Sequence, residues 1–204
     1  MKKYLILLAG SPGTGKTYLL NQLKKQFSEM FVITPDEAKE YYAESIGFDN
    51  LECKKQLEDT KVWPFYYNVL NWYMDAGKKL IVSEYPFSDK QKGKLTEMSE
   101  KHGYQVITIR LVGDFETLWT RRFQRDREPE RHLSFIMDKY HYGDTLENRN
   151  NATNHITKED FHKIVTEREY DQFELGKLYE IDVSDFSKVD YKPLLNTLQE
   201  EIEG

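Results

Sequence analysis

Short apolar runs rich in strand-forming residues recur along the chain, and segments with helical periodicity separate them. Five such runs occur, at residues 4–9, 31–34, 80–83, 106–112 and 178–183. After the first run, apolar side chains at positions 19, 20, 23 and 27 repeat with the spacing of one helical face. Short strands that alternate with helices are typical of βαβ units, whose right-handed crossovers place helices on both faces of a parallel sheet. The pattern therefore predicts a three-layer α/β/α fold with five parallel strands.

The length and composition fit a single folded domain over residues 1–204. The chain has 204 residues, of which 39% are hydrophobic, 14% aromatic and 31% charged, so it can bury a sizeable core. After the fourth apolar run we expect a helical lid at approximately residues 115–140. The polar stretch at approximately residues 141–166 is expected to be a variable, partly helical insertion and not a second domain.

Charge and cysteine content exclude several classes of protein. The single cysteine, Cys53, cannot form an intramolecular disulfide, which excludes a disulfide-stapled secreted module. The longest apolar stretch covers residues 5–9, far short of the ~20 residues that a membrane-spanning helix needs. The net charge of −6 disfavours a dedicated DNA-coating protein. We therefore expect a soluble cytoplasmic protein without a membrane partner.

The most informative string follows the first apolar run and precedes the first amphipathic helix. It fits the pattern G-x-x-x-x-G-K-[ST] in full and consists of Gly10, Ser11, Pro12, Gly13, Thr14, Gly15, Lys16 and Thr17. The glycines allow backbone amides to wrap a phosphate, and the helix N-terminus adds a partial positive charge. In such a loop Lys16 reaches the β- and γ-phosphates and the Thr17 hydroxyl ligates Mg²⁺. The string predicts binding of a nucleoside triphosphate, which we take to be ATP, with Mg²⁺ as cofactor.

Two acidic residues follow predicted strands, where open α/β sheets bind their ligands. Asp36 comes directly after the second run, and its carboxylate could accept a proton from an attacking hydroxyl. It could equally be an ordinary first-turn acid of a helix that Thr34 caps. Glu84 ends the third run and could hold Mg²⁺ beside Thr17, often through water. The simpler alternative is a strand-terminal acid exposed in a loop.

A cluster of arginines occupies the segment predicted to form the lid. The five residues are Arg121, Arg122, Arg125, Arg127 and Arg131. Arg121 and Arg125 lie four positions apart and are neighbours on one helix edge, whereas Arg122 falls within the apolar stripe. Two such guanidinium groups could close on phosphates and stabilise transition-state charge. The alternative is a solvated helix face that pairs with nearby acids.

Together these residues resemble the P-loop kinase branch of small-molecule and polynucleotide kinases. The 5′-kinase domain of phage polynucleotide kinase and its predicted P-loop kinase relatives are similar over roughly residues 1–140. The resemblance implies a parallel sheet of order 2-3-1-4-5. It also implies that Asp36 is the general base, that Glu84 is the acid after the third strand, and that Arg121 and Arg125 are lid arginines. Where that family has an acceptor-binding arginine, this chain has Lys39, which can hold phosphate only as a point charge.

These observations favour an ATP-dependent phosphotransferase that moves the γ-phosphate to a hydroxyl of a nucleoside, a sugar or a related metabolite. The expected partners are a nucleoside triphosphate and this small-molecule acceptor, with Lys39 and Arg122 as further substrate contacts. A polynucleotide 5′-hydroxyl kinase is one alternative; the arginine cluster supports it, and the net charge of −6 and Lys39 disfavour it. A regulatory protein that binds or hydrolyses nucleoside triphosphates without any acceptor is the other alternative.

Overall fold

The computed structural model describes residues 2–204 and contains a five-stranded sheet in which every neighbouring pair of strands is parallel. The strands are β1 (Tyr4–Ala9), β2 (Phe31–Ile33), β3 (Leu80–Glu84), β4 (Gln105–Val112) and β5 (Lys177–Asp182). Their spatial order is β2-β3-β1-β4-β5. The predicted α/β fold and the predicted strand order are therefore confirmed.

Eight α-helices accompany the strands in the described part of the chain. They are α1 (Lys16–Gln26), α2 (Pro35–Ser45), α3 (Leu51–Leu57), α4 (Trp63–Asp75), α5 (Asp89–His102), α6 (Phe115–Arg125), α7 (Lys158–Arg168) and α8 (Lys192–Glu203). A π-helical turn, Glu58–Val62, joins α3 to α4, and short 3₁₀ turns occupy Leu133–Phe135, Arg149–Asn151 and Phe186–Lys188. None of the helices within residues 2–204 is both long and apolar enough to cross a bilayer.

The central strand β1 shows how the three layers pack. Its side chains alternate between the two faces of the sheet, and all six are buried. Tyr4, Ile6 and Leu8 join a core with apolar residues of α1 and α8. Leu5, Leu7 and Ala9 face the opposite core, which α4 and α5 complete. Because both faces of β1 are covered, its sequence is continuously apolar, as is typical of a central parallel strand.

The region predicted as a helical lid is only partly helical. Helix α6 begins where the Asp114 side chain accepts a hydrogen bond from the Thr117 amide at 2.9 Å, and it ends at Arg125. Pro129 follows soon after, and proline cannot continue a helical hydrogen-bond ladder. The rest of residues 126–140 is irregular except for the turn Leu133–Phe135.

A third, smaller core lies away from the sheet and joins two distant segments. Phe48, in the α2–α3 connection, pairs with Tyr140 through two backbone hydrogen bonds of 2.8 and 2.9 Å. Ala43, Leu133 and Ile136 are buried around this pair. The end of the predicted lid is therefore fastened to the α2–α3 connection.

Candidate active site

The phosphate-binding string forms a tight loop between β1 and α1. Gly10, Gly13 and Gly15 all have positive φ angles, of 122°, 94° and 80°. Within the loop, the Thr14 hydroxyl donates to the Ser11 carbonyl at 2.9 Å, and both residues are buried. Gly15 adopts the left-handed conformation at the N-cap of α1, so the loop leads directly into the helix N-terminus. This geometry suits an anion, because amides and the positive end of α1 converge on one place.

Two glycines of the loop leave no space for a side chain. A Cβ atom on Gly10 would collide with the Leu111 carbonyl of β4, and one on Gly13 would lie 2.7 Å from the Leu118 carbonyl of α6. The loop therefore packs closely against both elements, and its glycines adopt backbone angles that other residues adopt only with strain. Glycine at these positions is a steric requirement of this fold.

Lys16 is almost completely buried at the start of α1. Its ammonium group donates to the Gly10 and Ser11 carbonyls at 2.9 and 3.0 Å. Burial lowers the pKa of Lys16 to about 8, although the nearby Glu84 carboxylate acts in the opposite direction. The side chain thus folds over its own loop and carries a charge that burial makes costly.

Thr17 and Glu84 meet at the carboxyl end of β3. The Thr17 hydroxyl donates to the Glu84 Oε1 atom at 2.7 Å. Burial raises the pKa of Glu84, which a neighbouring cation would counteract. Residues 2–204 hold no cluster of three or more His, Cys, Asp or Glu side chains that could bind a metal. One hydroxyl and one carboxylate nevertheless fit Mg²⁺, which takes oxygen ligands and usually completes its shell with phosphate and water.

Asp36 lies in the first turn of α2, where Thr34 caps the helix and Pro35 takes the first position. The Lys39 ammonium group lies 3.4 Å from the Asp36 carboxylate, 3.9 Å from Glu58 and 3.1 Å from the Tyr85 hydroxyl. Partial burial would raise the pKa of Asp36, but Lys39 and Arg131 together hold it below its usual value. The Asp36 side chain is about half exposed, at 49%. It is therefore an ionised carboxylate that can still reach a ligand.

Three of the five clustered arginines line the same cavity as Lys16 and Asp36. They are Arg122, Arg125 and Arg131. All three come within ion-pair distance of the buried Asp126, at 3.4, 3.7 and 3.1 Å respectively. Burial lowers the pKa of Arg131 to about 10, and the adjacent Arg125 adds to the effect. We call this group of three the arginine wall.

Arg121 lies elsewhere, although the sequence pairs it with Arg125. Its guanidinium group donates to the Val183 and Ser184 carbonyls at 2.7 and 3.1 Å. It also lies 3.5 Å from the centre of the Phe186 ring, and that ring in turn packs against Gly15. The structure thus brings Arg125 to the cavity together with Arg122 and Arg131, and it places Arg121 beside the outer edge of the phosphate loop.

A cavity of about 500 Å³ joins these groups. Its lining includes the predicted residues Pro12, Lys16, Thr17, Asp36, Lys39, Glu84, Arg122 and Arg125. Sequence reasoning did not assign the remaining walls, among them Lys54, Arg131, Phe135, Phe161 and Tyr170. Arg131 belongs to the arginine run and could have been found there. The others come from distant segments, and no local pattern marks them.

The fold and the loop together define a protein of the P-loop kinase-like class. The chain belongs to the Zeta toxin family, whose model matches residues 1–172. A comparison with curated proteins finds no match.

Solved structures of low sequence identity share the fold. A protein from Chloroflexus aurantiacus j-10-fl described as a "putative kinase" aligns with a TM-score of 0.74 and 20% identity, over 98% of each chain. A gluconokinase from Sinorhizobium meliloti 1021 aligns with a TM-score of 0.56 and 16% identity, over 98% of this chain and 95% of that one. The Deinococcus radiodurans tunicamycin resistance protein gives a TM-score of 0.55 at 16% identity, over 98% of this chain and 96% of that one.

Proposed function

We propose that the protein transfers the γ-phosphate of ATP to a hydroxyl group of a small-molecule acceptor bound in the cavity. One observation carries this proposal: a single cavity is lined by the loop lysine Lys16, the ionised carboxylate of Asp36 and the arginine wall. A phosphate donor, a proton acceptor and a set of cations are the parts that phosphoryl transfer to a hydroxyl requires.

On the donor side, the loop residues hold the nucleotide. The N–H groups of residues 10–17 other than Pro12, with the Lys16 ammonium group, would bind the β- and γ-phosphates, and Thr17 and Glu84 would hold the metal ion. Bound Mg²⁺ would neutralise developing charge on the phosphate oxygens. Lys16 must exchange its two carbonyl contacts for phosphate oxygens, because its ammonium group now donates to Gly10 and Ser11.

On the acceptor side, Asp36 takes the proton of the attacking hydroxyl. The hydroxyl oxygen forms a new bond to the γ-phosphorus, and the bond from phosphorus to the bridging oxygen breaks. ADP leaves with the electron pair of that bond, and the proton moves to the Asp36 carboxylate. The cations Lys39 and Arg131 keep this carboxylate ionised before the reaction. The arginine wall stabilises the charge that spreads over the transferring group.

The size and shape of the cavity favour a small acceptor. Its volume of about 500 Å³ lies within the range of small-molecule sites. Apolar side chains of Phe135, Ile156 and Phe161 form part of its wall, and Tyr170 lies beside them. Solved structures of similar fold include proteins named as a gluconokinase and a sugar kinase, which supports a polyhydroxylated metabolite as acceptor.

A screen with labelled ATP tests the proposal. Purified protein, ATP and Mg²⁺ are incubated with sugars, nucleosides, related metabolites and 5′-hydroxyl oligonucleotides, and phosphorylated products are detected. We expect transfer to a member of the small-molecule set. Transfer to the oligonucleotides alone, with strong salt dependence of their binding, would identify the polynucleotide kinase instead.

The variant Asp36→Asn tests the assigned base. Transfer should fall by on the order of 10²–10⁴-fold while ATP affinity is retained. The matched control is Asp89→Asn, which changes an exposed first-turn aspartate of α5 that does not line the cavity. Full transfer by Asp36→Asn would show that Asp36 is not the base. ATP hydrolysis without any acceptor, unchanged in this variant, would identify a nucleotide-hydrolysing protein.

A further inference from the structure

The carboxylate of Asp126 occupies an unfavourable position for an acidic residue. It lies at the C-cap of α6, where the helix presents carbonyl oxygens and the negative end of its dipole. The residue is only 4% exposed, and a buried charge needs close partners to offset its lost hydration. Helix stability and hydration would therefore both favour a neutral residue at this position.

Three arginines compensate for this placement. Arg122 lies one helical turn before Asp126, Arg125 is its neighbour, and Arg131 returns after the bend at Pro129. Arg131 is the nearest, with its Nε atom 3.1 Å from the Asp126 Oδ1 atom. A single buried carboxylate thus lies against three positive charges.

The arginines repel one another and are held by few other groups. Arg125 lowers the pKa of both Arg122 and Arg131, in addition to the effect of burial. The Nε atoms of all three, and the Asp126 Oδ1 atom, are buried and make no well-aligned hydrogen bond among the described residues, so Asp126 holds the arginines as an ion-pair partner. Aromatic rings support two of the guanidinium groups, since Arg122 lies 5.2 Å from the Phe161 ring and Arg131 lies 4.0 Å from the Phe135 ring. Asp126 is the only carboxylate within ion-pair distance of all three in residues 2–204.

We propose that Asp126 is the positioning residue of the arginine wall, holding three mutually repelling guanidinium groups where they receive the γ-phosphate. Asp126 touches neither nucleotide nor acceptor in this role and acts through the arginines. The inference rests on the proposed function in one respect, namely that the nucleotide phosphates enter this cavity.

Positioning and simple charge predict opposite results when Asp126 is neutralised. The change Asp126→Asn makes the cavity more positive by one charge. If only charge mattered, ATP would bind more tightly, and more so than ADP, because ATP carries the additional phosphate. If positioning matters, the arginines separate, and the γ-phosphate loses charge-assisted hydrogen bonds that ADP never makes.

The test is the ratio of ATP to ADP affinity, measured by titration calorimetry with Mg²⁺ and no acceptor. We expect Asp126→Asn to reduce the preference for ATP over ADP by on the order of tenfold, with ADP affinity nearly unchanged. The matched control is Glu128→Gln, an equal change of charge at an exposed site two residues away. An unchanged or increased preference for ATP in Asp126→Asn would overturn the proposal.

Two further variants keep the test decisive. Asp126→Glu retains the charge but moves the carboxylate by one methylene, so a reduced preference for ATP supports positioning and an unchanged one contradicts it. In the double variant Asp126→Asn with Arg125→Ala, the loss should be smaller than the product of the single losses, because both changes act on the same group. Independent, multiplying losses would overturn the proposal.

The result can be separated from the proposed function. The affinity ratio requires no acceptor, so it can be measured even if the acceptor screen finds no product. If neither ATP nor ADP binds the unaltered protein, the proposed function fails and this inference fails with it. If both bind and only the ratio is insensitive to Asp126, the proposed function stands and the positioning role alone is wrong.

Discussion

The phosphate loop and the arginine wall hold anions by different means. The loop offers backbone N–H groups from seven of its eight consecutive residues, since Pro12 has none, and its shape is fixed by glycines that press against β4 and α6. The arginine wall offers long side chains, which one buried carboxylate and two aromatic rings hold in place. The loop is therefore rigid before a ligand arrives, whereas the wall depends on a balance of opposing charges. Changes in the loop should weaken the binding of ATP and ADP alike, whereas changes in the wall should alter transfer and the preference for ATP over ADP.

In the comparison of loop and wall, the largest effect is expected from removing the loop cation. Lys16→Ala should reduce transfer by on the order of 10³-fold and weaken ATP binding as well, because the β- and γ-phosphates lose their buried ammonium partner. Titration calorimetry and the transfer assay measure the two effects. The control Lys25→Ala changes an exposed lysine of the same helix. An unchanged ATP affinity in Lys16→Ala would show that the loop does not hold the nucleotide in the proposed way.

The wall itself is tested by comparing Arg125 with Arg121. Arg125→Ala should lower kcat by on the order of 10²-fold and reduce ATP affinity by up to about tenfold, with ADP affinity nearly unchanged. Arg121→Ala should change kcat by only a few-fold and instead lower the free energy of unfolding by about 1–2 kcal/mol, because its guanidinium group binds two backbone carbonyls. Kinetics and thermal unfolding on both variants separate these effects. Equal losses of kcat would instead support the equivalent roles of Arg121 and Arg125 that the sequence predicted.

A pH dependence distinguishes the buried lysine of the loop from the arginines of the wall. The pKa of Lys16 is about 8 in the free protein, so the charged, phosphate-binding form is lost as the pH rises through that value. ATP affinity should then fall by up to about tenfold per pH unit above this point. Calorimetry in buffers of different ionisation enthalpy should show proton uptake on binding. Lys16→Arg should flatten the profile, and a slope that persists in this variant would assign it to another group.

The smallest effect is expected at Lys39, on the acceptor side. Lys39→Met removes the closest cation from Asp36, so the pKa of Asp36 should rise and the acid limb of the kcat/KM profile should move to higher pH. Activity near neutral pH should change by only a few-fold. Lys55→Met, at an exposed site of α3, is the control. An acid limb that stays in place would show that Asp36 does not set it.

The sheet and the loop were predictable from sequence because each depends on neighbouring residues. The parallel sheet followed from the alternation of apolar runs and helices, its strand order from the resemblance to P-loop kinases, and the loop from eight consecutive residues at a strand end. The proximity of Thr17 and Glu84 also followed, since the carboxyl ends of β1 and β3 lie side by side. Each of these features is set either by residues close together in the sequence or by the fixed arrangement of neighbouring parallel strands.

The walls of the cavity were not predictable, because they depend on contacts between distant segments. Helical spacing alone paired Arg121 with Arg125, and it missed the bend that returns Arg131 to Asp126. The ion pair between Lys39 and Glu58 joins α2 to the π-helical turn, and Tyr170 enters from beyond α7. Within the sequence, only the aspartate between two arginines at residues 125–127 indicated that a carboxylate lies among the arginines.

The pairing of Phe48 with Tyr140 has a mechanical consequence. One side of this clasp carries α2, with Asp36 and Lys39, and the other carries the segment that contains Arg131. A hinge movement that brought Arg131 toward the phosphate loop would have to break two backbone hydrogen bonds or take α2 with it. The clasp therefore ties Arg131 to the segment that carries Asp36 and Lys39, so a shift of either segment would carry these side chains together. The other two arginines of the wall instead stay with α6, which packs against the phosphate loop.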